Sequence, residues 1–278
     1  MKEIYEIPTD EYKLFLPVLK SIDSVAGKYG FQYVLIGALA RDILIKNVYN
    51  CELQFRATLD IDFAVMVENW DSFNMIIEEL VINHNFAKDK RPHRLYRNSI
   101  IVDIIPFGNI SSSNSIFWQP GSEIVINVIG FKEVYDNAVI AKINSIKFKV
   151  TCLEGFAVLK LIAWSDRNVT TKKDAEDLGI IFYHYNEFYP DELFQEYSYL
   201  IGEPQYDYIL AGIIIFGKKI RRFVAHSNEL KTQISSILHY ELADPENSQL
   251  ALHLSKIEKY EFNYKILKTF QETVDSDL

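Results

Sequence analysis

The chain has 278 residues, of which 49% are hydrophobic and 24% charged, with a formal net charge of −9. These values are typical of a globular protein with one large or two modest domains. The negative charge argues against a broadly basic nucleic-acid surface, although it leaves room for a local basic groove on an acidic body. Cys51 and Cys152, the only two cysteines, exclude a disulfide framework and a cysteine zinc site, and we expect both to be reduced and half-buried.

The N-terminus shows no signal-peptide pattern, and the most apolar later run, residues 208–216, is too short to span a bilayer. The sequence therefore predicts a cytoplasmic protein that does not contact a membrane.

The residue pattern of the first half of the chain predicts helices that alternate with strands. Apolar spacing favours a helix over 9–29 that ends at Gly30, a second helix over 38–46 and a third over 71–80. A hairpin is expected over 94–97 and 99–107, with its turn near Arg97-Asn98, followed by a polar loop. The remaining predicted strands are 31–36, 58–67, 124–129, 139–143 and 146–150.

The residue pattern of the second half predicts helices throughout, and the change from strands to helices falls near residue 150. The predicted helices are 153–166, 172–184, 192–200, 206–223, 230–239, 248–259 and 264–274. The chain is therefore predicted to be an α+β protein with one domain over 1–150, a mixed sheet flanked by helices, and an all-helical C-terminal domain over 151–278.

The most informative short pattern is Asp60-Ile61-Asp62 within an apolar run. Residues two apart on a strand point to the same side, so both carboxylates are expected to project together. Their mutual repulsion favours a divalent cation, and Mg²⁺ is the cation that binds few protein carboxylates together with nucleotide phosphates. Taken alone the pattern is weak, because two solvated charges at a strand edge would look the same.

A third carboxylate, Asp103, lies inside the apolar run 100–107. A charge in such a run needs a partner or a function. Three aspartates on two strands would suit a two-metal site for in-line nucleotidyl transfer, in which Asp103 accepts the proton of the attacking hydroxyl.

Gly37 separates a predicted strand from a predicted helix, a junction at which backbone N–H groups can face a phosphate. A simple turn residue is the alternative interpretation. Arg41, on the following helix, could reach a phosphate or pair with a carboxylate, and Asp42 is expected to orient Arg41 or Arg56 rather than bind metal.

Two strings, residues 34–42 and residues 56–65, resemble the AbiEii/AbiGii-toxin-like nucleotidyltransferases of the DNA polymerase β superfamily. The resemblance continues through His93-Arg94-Leu95, residues 102–108, residues 127–131, residues 159–167 and residues 173–178. It covers roughly residues 30–185, and nothing matches in 190–278. It implies a nucleotidyltransferase fold with a following helical domain, Mg²⁺ (with Mn²⁺ as the alternative cation) and a nucleoside triphosphate as substrate.

The resemblance also implies roles for individual residues. Asp60, Asp62 and Asp103 would bind metal and act in catalysis. The other candidates are nucleotide-binding residues, with two acidic residues in possible support: Gly37, Ala38, Arg41, Arg56, His93, Arg94 and Lys160, then Asp174 and Asp177. A structural clasp in which Asp174 and Asp177 bind Lys160 or Arg167 is an alternative for the last group.

The acceptor is expected to be a hydroxyl on tRNA or another RNA, on a protein side chain or on a small molecule, and a cognate antitoxin would be the partner of a toxin-like member. Many superfamily members have serine or a second glycine where this chain has Ala38, which lacks the hydroxyl that would bond a phosphate. Two alternatives therefore stay open: a small-molecule adenylyltransferase of the aminoglycoside-modifying kind, and a non-catalytic nucleotide- or partner-binding module.

Overall fold

The protein is described here by a computed structural model that covers residues 3–53, 58–118, 124–200, 207–256 and 258–276. The chain forms two compact units, Met1–Phe156 and Ala157–Leu278. The division falls within one helix, Leu153–Arg167. Among the described residues, no helix is both long enough and apolar enough to cross a membrane.

The first unit contains an eight-stranded mixed sheet in the order β1-β9-β10-β2-β3-β6-β5-β4, and a separate two-stranded sheet, β7-β8. The strands are β1 Ile4–Glu6, β2 Gln32–Ile36, β3 Asp60–Met66, β4 Ala87–Lys88, β5 Arg94–Arg97, β6 Ile100–Phe107, β7 Ser115–Phe117, β8 Val125–Asn127, β9 Val139–Ile143 and β10 Ile146–Val150. The predicted α+β class and the mixed sheet are confirmed.

The α-helices that the structure describes before residue 153 are α1 Leu16–Tyr29, α2 Gly37–Ile43, α3 Trp70–His84 and α4 Phe131–Asn137. The prediction that α1 begins at residue 9 is wrong, because the chain forms turns until Pro17 occupies the first helical turn, where its missing N–H is not needed. Gly30 ends α1 in the left-handed conformation at φ +73°, as expected. The predicted helix 38–46 divides into α2 and a π-helical segment, Leu44–Val48.

The second unit is helical, as predicted. Its helices are α5 Leu153–Arg167, α6 Lys173–Phe188, α7 Pro190–Gln195, α8 Tyr208–Val224, α9 Asn228–Leu242, α10 Gln249–Leu254 and α11 Tyr260–Asp275, with a 3₁₀ turn at Ser198–Leu200. The predicted helix 248–259 is wrong: α10 ends at Leu254, and Lys259 is the N-cap of α11.

A buried carboxylate, Glu241, ties α5, α9 and α10 together. Trp164 Nε1 donates to Glu241 Oε1 at 2.7 Å, and the Leu250 N–H donates to Oε2 at 2.8 Å. Ser248 Oγ also donates to Oε2, at 3.1 Å. Because a buried charge is tolerated only when it is fully hydrogen-bonded, these donors explain how Glu241 fits inside the unit.

Candidate active site

Asp60 and Asp62 lie on β3, in the middle of the sheet. Strand β3 pairs antiparallel with β2 and parallel with β6, and Asp62 stands level with Asp103 of β6. Side chains two apart on one strand, and side chains in register on neighbouring strands, point to the same face. Asp60, Asp62 and Asp103 therefore share one face of the sheet, whereas Ile61 and Phe63 are fully buried on the other.

Gly37 lies directly against the carboxylate of Asp62. Its φ is +75°, and a Cβ built there would be 2.0 Å from Asp62 Oδ2 and 2.7 Å from Asp62 Cγ. Since Ile36 is the register partner of Asp62, the turn into α2 passes over this carboxylate. Both the conformation and the close approach require glycine here. The sequence predicted that a phosphate would approach Gly37; in the structure the Asp62 carboxylate lies against it, and phosphate binding there stays a prediction.

Arg94 holds the third carboxylate. Strand β5 pairs antiparallel with β6, so that Arg94 stands opposite Asp103. Arg94 Nε and Nη2 each donate to one oxygen of Asp103, at 2.6 Å. The hydrogen bond to Asp103 raises the pKa of Arg94. This two-pronged geometry fixes the plane of the Asp103 carboxylate.

Within the described residues, no group of three His, Cys, Asp or Glu side chains is arranged to hold a metal ion. The donor chemistry of Asp60 and Asp62 nevertheless fits Mg²⁺ or Mn²⁺, which prefer carboxylate oxygens. Asp103 stands in register beside them, but both of its oxygens accept hydrogen bonds from Arg94. The residues thus fit a cation held by Asp60 and Asp62, with Asp103 oriented by Arg94.

His93 lies in an aromatic cluster. Its ring packs edge-on against Trp118, with the ring centroids 5.6 Å apart, and Trp118 in turn contacts Trp70 and Phe73. Nδ1 of His93 is buried and has no hydrogen-bond partner among the described residues. Burial lowers the pKa of His93, against the opposing charge of Asp103. No sequence pattern pointed to Trp118, which lies outside every string that carries the resemblance.

The helix after Gly37 carries two further candidates. Arg41 is buried, and its Nε and Nη2 donate to Asp42 Oδ1 at 2.9 and 2.7 Å. The predicted pairing of Asp42 with Arg41 is therefore present. Ala38 is half-buried in the first turn of α2. Arg56 lies outside the described residues.

Lys160, Asp174 and Asp177 form an ion-pair cluster in the second unit. Lys160 Nζ lies 3.1 Å from Asp174 Oδ1 and 2.6 Å from Asp177 Oδ2. Arg167 Nε and Nη2 also donate to Asp174, at 2.7 and 2.8 Å. Burial raises the pKa of Asp174, but the bonds from Arg167 and the charge of Lys160 outweigh it, so that the pKa lies below its usual value. These contacts form the structural clasp that the sequence offered as an alternative.

Comparisons with known proteins leave the family open. No protein-family model and no curated protein matches the chain. One solved structure, described as "tRNA-processing enzyme (apo form I)", is 14% identical in sequence and aligns over 96% of this chain and 80% of that chain, with a TM-score of 0.28. A TM-score this low does not establish a common fold.

Proposed function

We propose that the protein is a Mg²⁺-dependent nucleotidyltransferase that moves a nucleoside monophosphate from a nucleoside triphosphate to a hydroxyl acceptor. The observation that carries the proposal is the packing of the Gly37 turn on Asp62, with Asp60 and Asp103 on the same face of the sheet. This arrangement places carboxylate oxygens beside a glycine turn that begins a helix, which suits a cation and the phosphates it neutralises.

In the proposed reaction the acceptor oxygen attacks the α-phosphorus of the triphosphate. The bond from that phosphorus to the β-phosphate bridging oxygen breaks, and pyrophosphate leaves with the electron pair of that bond. A cation held by Asp60 and Asp62 would supply charge neutralisation at the phosphates. Asp103 would accept the proton of the acceptor hydroxyl, since each carboxylate oxygen keeps a second lone pair while Arg94 occupies the first.

Arg94 can serve Asp103 and a phosphate at once. It uses Nε and Nη2 on Asp103, and its Nη1 has no protein partner among the described residues. A guanidinium carries five N–H donors in a rigid plane, so Nη1 can donate to a phosphate oxygen without releasing the carboxylate. The proposed nucleotide contact of Arg94 is thereby compatible with its observed ion pair.

The resemblance supplies the proposed setting: RNA, with tRNA as the first candidate, as acceptor, and a cognate antitoxin as partner. Within the second unit, the clasp of Lys160 with Asp174 and Asp177 favours a structural role for that lysine over the triphosphate contact that the resemblance implied. Lys160 is half-buried beside two buried carboxylates, and a contact with a triphosphate would take its charge away from them.

The test is incubation with each nucleoside triphosphate labelled at the α-phosphate, Mg²⁺ and total tRNA. We expect label on RNA with the wild-type protein and none with Asp62→Asn. Asp71→Asn, which changes an exposed carboxylate of α3 in the same unit, is the matched control and should transfer normally. Full transfer by a folded Asp62→Asn protein would refute the proposal, and label on an aminoglycoside rather than on RNA would move the acceptor to the small-molecule class.

A further inference from the structure

A basic groove lies in the first unit between the start of α1, the end of α3 and the end of β5. Its open volume is about 610 Å³, and the basic residues in its lining are Lys13, Lys20, His84 and Arg97. Among the described residues, no aspartate or glutamate lines it. On a chain of net charge −9, a groove whose described lining is basic and neutral is a local reversal of the overall charge.

The groove lies on the face of the sheet away from the carboxylates. Arg97 is three residues after Arg94 on β5, and successive strand residues alternate between faces, so the two arginines point to opposite sides. Arg97 reaches α1, where its Nη1 donates to Ser21 Oγ at 2.6 Å and to the backbone oxygen of Pro17. The groove is therefore separate from the candidate active site.

The two lysines of the groove are available for a ligand. Lys13 and Lys20 are exposed, and neither has an ion-pair partner among the described residues. Lys28, further along α1, differs because it pairs with Glu79 at 2.7 Å. Arg97 is held by α1 and lies over the ring of Phe86, 5.4 Å from its centroid. The groove thus combines one guanidinium held by α1 with two exposed ammonium groups.

We infer that this groove binds the phosphodiester backbone of an RNA acceptor strand. The inference rests on the proposed function and deepens it, because it assigns a binding surface to the RNA acceptor. Lys13 and Lys20, which have no ion-pair partner among the described residues, lie along an open groove and suit a chain of phosphates, which lysine and arginine bind without reading sequence. A cationic small molecule, the alternative acceptor, would be repelled by the same side chains.

The test measures RNA binding directly, by fluorescence anisotropy of a labelled 20-nucleotide RNA without nucleoside triphosphate or divalent cation. The variant is the double substitution Lys13→Ala/Lys20→Ala. Each lost phosphate contact weakens single-strand binding about fivefold at 0.1 M salt, so we expect a loss of about 25-fold and a salt-dependence slope smaller by about 1.4. The matched control, Lys132→Ala/Lys147→Ala, removes the same charge from exposed positions of the same unit and should leave affinity within about twofold.

An equal loss in both double variants would overturn the inference, since it would show a dependence on net charge alone. Binding of ATP or inorganic phosphate that depends on Lys13 and Lys20, with no gain for the 20-nucleotide RNA, would replace a polynucleotide with a small anion and would also overturn it. Nucleotidyl transfer is scored separately. Groove-dependent RNA binding without transfer would refute the proposed function alone, whereas transfer to RNA with no effect of the lysine substitutions would refute the groove alone.

Discussion

Replacing Gly37 with alanine tests the packing on which the proposed site depends. The new Cβ would lie 2.0 Å from Asp62 Oδ2, well inside van der Waals contact, at a φ of +75° that disfavours alanine. The carboxylate of Asp62 must move, and Gly37 must hold a left-handed conformation that costs about 1–2 kcal/mol for a residue with a side chain.

Gly30 is the matched control within the same unit. Its φ is +73°, almost equal to that of Gly37, but nothing lies within 4 Å of the Cβ that alanine would add. Gly30→Ala therefore reports the backbone cost alone, about 1–2 kcal/mol. Overpacking adds about 1–3 kcal/mol, so Gly37→Ala should lose about 2–5 kcal/mol of the free energy of unfolding.

The assay is urea unfolding of both variants, followed by circular dichroism, together with a double-mutant cycle. Asp62→Ala removes the obstructing carboxylate and leaves only the Cβ of residue 62, 3.1 Å away, so in that background the cost of Gly37→Ala should fall to near that of Gly30→Ala. The reasoning is refuted if Gly37→Ala and Gly30→Ala lose equal stability in the wild-type background, because Asp62 would then move aside at no cost.

Three further predictions concern the helical unit. Lys160→Met leaves Asp174 and Asp177 without their shared cation, and urea unfolding should show a free energy of unfolding lower by about 3 kcal/mol. The exposed control Lys256→Met should lower it by less than about 1 kcal/mol. Equal losses in the two variants would contradict a clasp around buried carboxylates. Because the pKa of Asp174 is lowered, its carboxylate stabilises the fold above pH of about 4, and this contribution disappears as the pH falls through the native pKa. Urea midpoints measured from pH 6 to pH 3 should therefore fall less steeply in Asp174→Asn than in the wild type. Parallel curves for the two proteins would refute this. Gly179→Ala should lower the melting temperature, because the added Cβ would lie 1.8 Å from the backbone oxygen of Leu254. This loss is expected even though alanine is the better helix former by about 1 kcal/mol. A raised melting temperature would show that α6 and α10 separate freely.

The sequence predicted the elements with strong periodicity and missed those that depend on distant contacts. The two strands β9 and β10 occupy the predicted residues, because an apolar alternation on either side of Asn144, at φ +53°, defines a hairpin locally. Strand β1 was not predicted: Ile4–Glu6 is too short to show alternation, and it is a strand only because β9 offers a parallel edge. Helix α4 was also missed, since Phe131–Asn137 spans fewer than two turns of periodicity.

The same distinction applies to the candidate site. The alternation of β3 already predicted that Asp60 and Asp62 would face one side. The level at which Asp103 meets Asp62 could not be predicted, because β3 and β6 are parallel and the intervening chain, which includes α3, sets no register by residue count. The contact of Gly37 with Asp62 likewise depends on the pairing of β2 with β3, two strands that α2 separates along the chain.

The pairing of Arg94 with Asp103 differs, because the sequence contained enough information to derive it. The hairpin turn was predicted near Arg97-Asn98, and Asn98, at φ +55°, tolerates the left-handed conformation that such turns require. If Arg97 and Ile100 close a two-residue turn, counting outwards along both strands places Arg94 opposite Asp103, which is the observed register. A slip of one residue would place Arg94 opposite Val102 and turn the guanidinium away from the carboxylate. The two-residue turn therefore determines which charge Asp103 meets, and with it the orientation of the proposed proton acceptor.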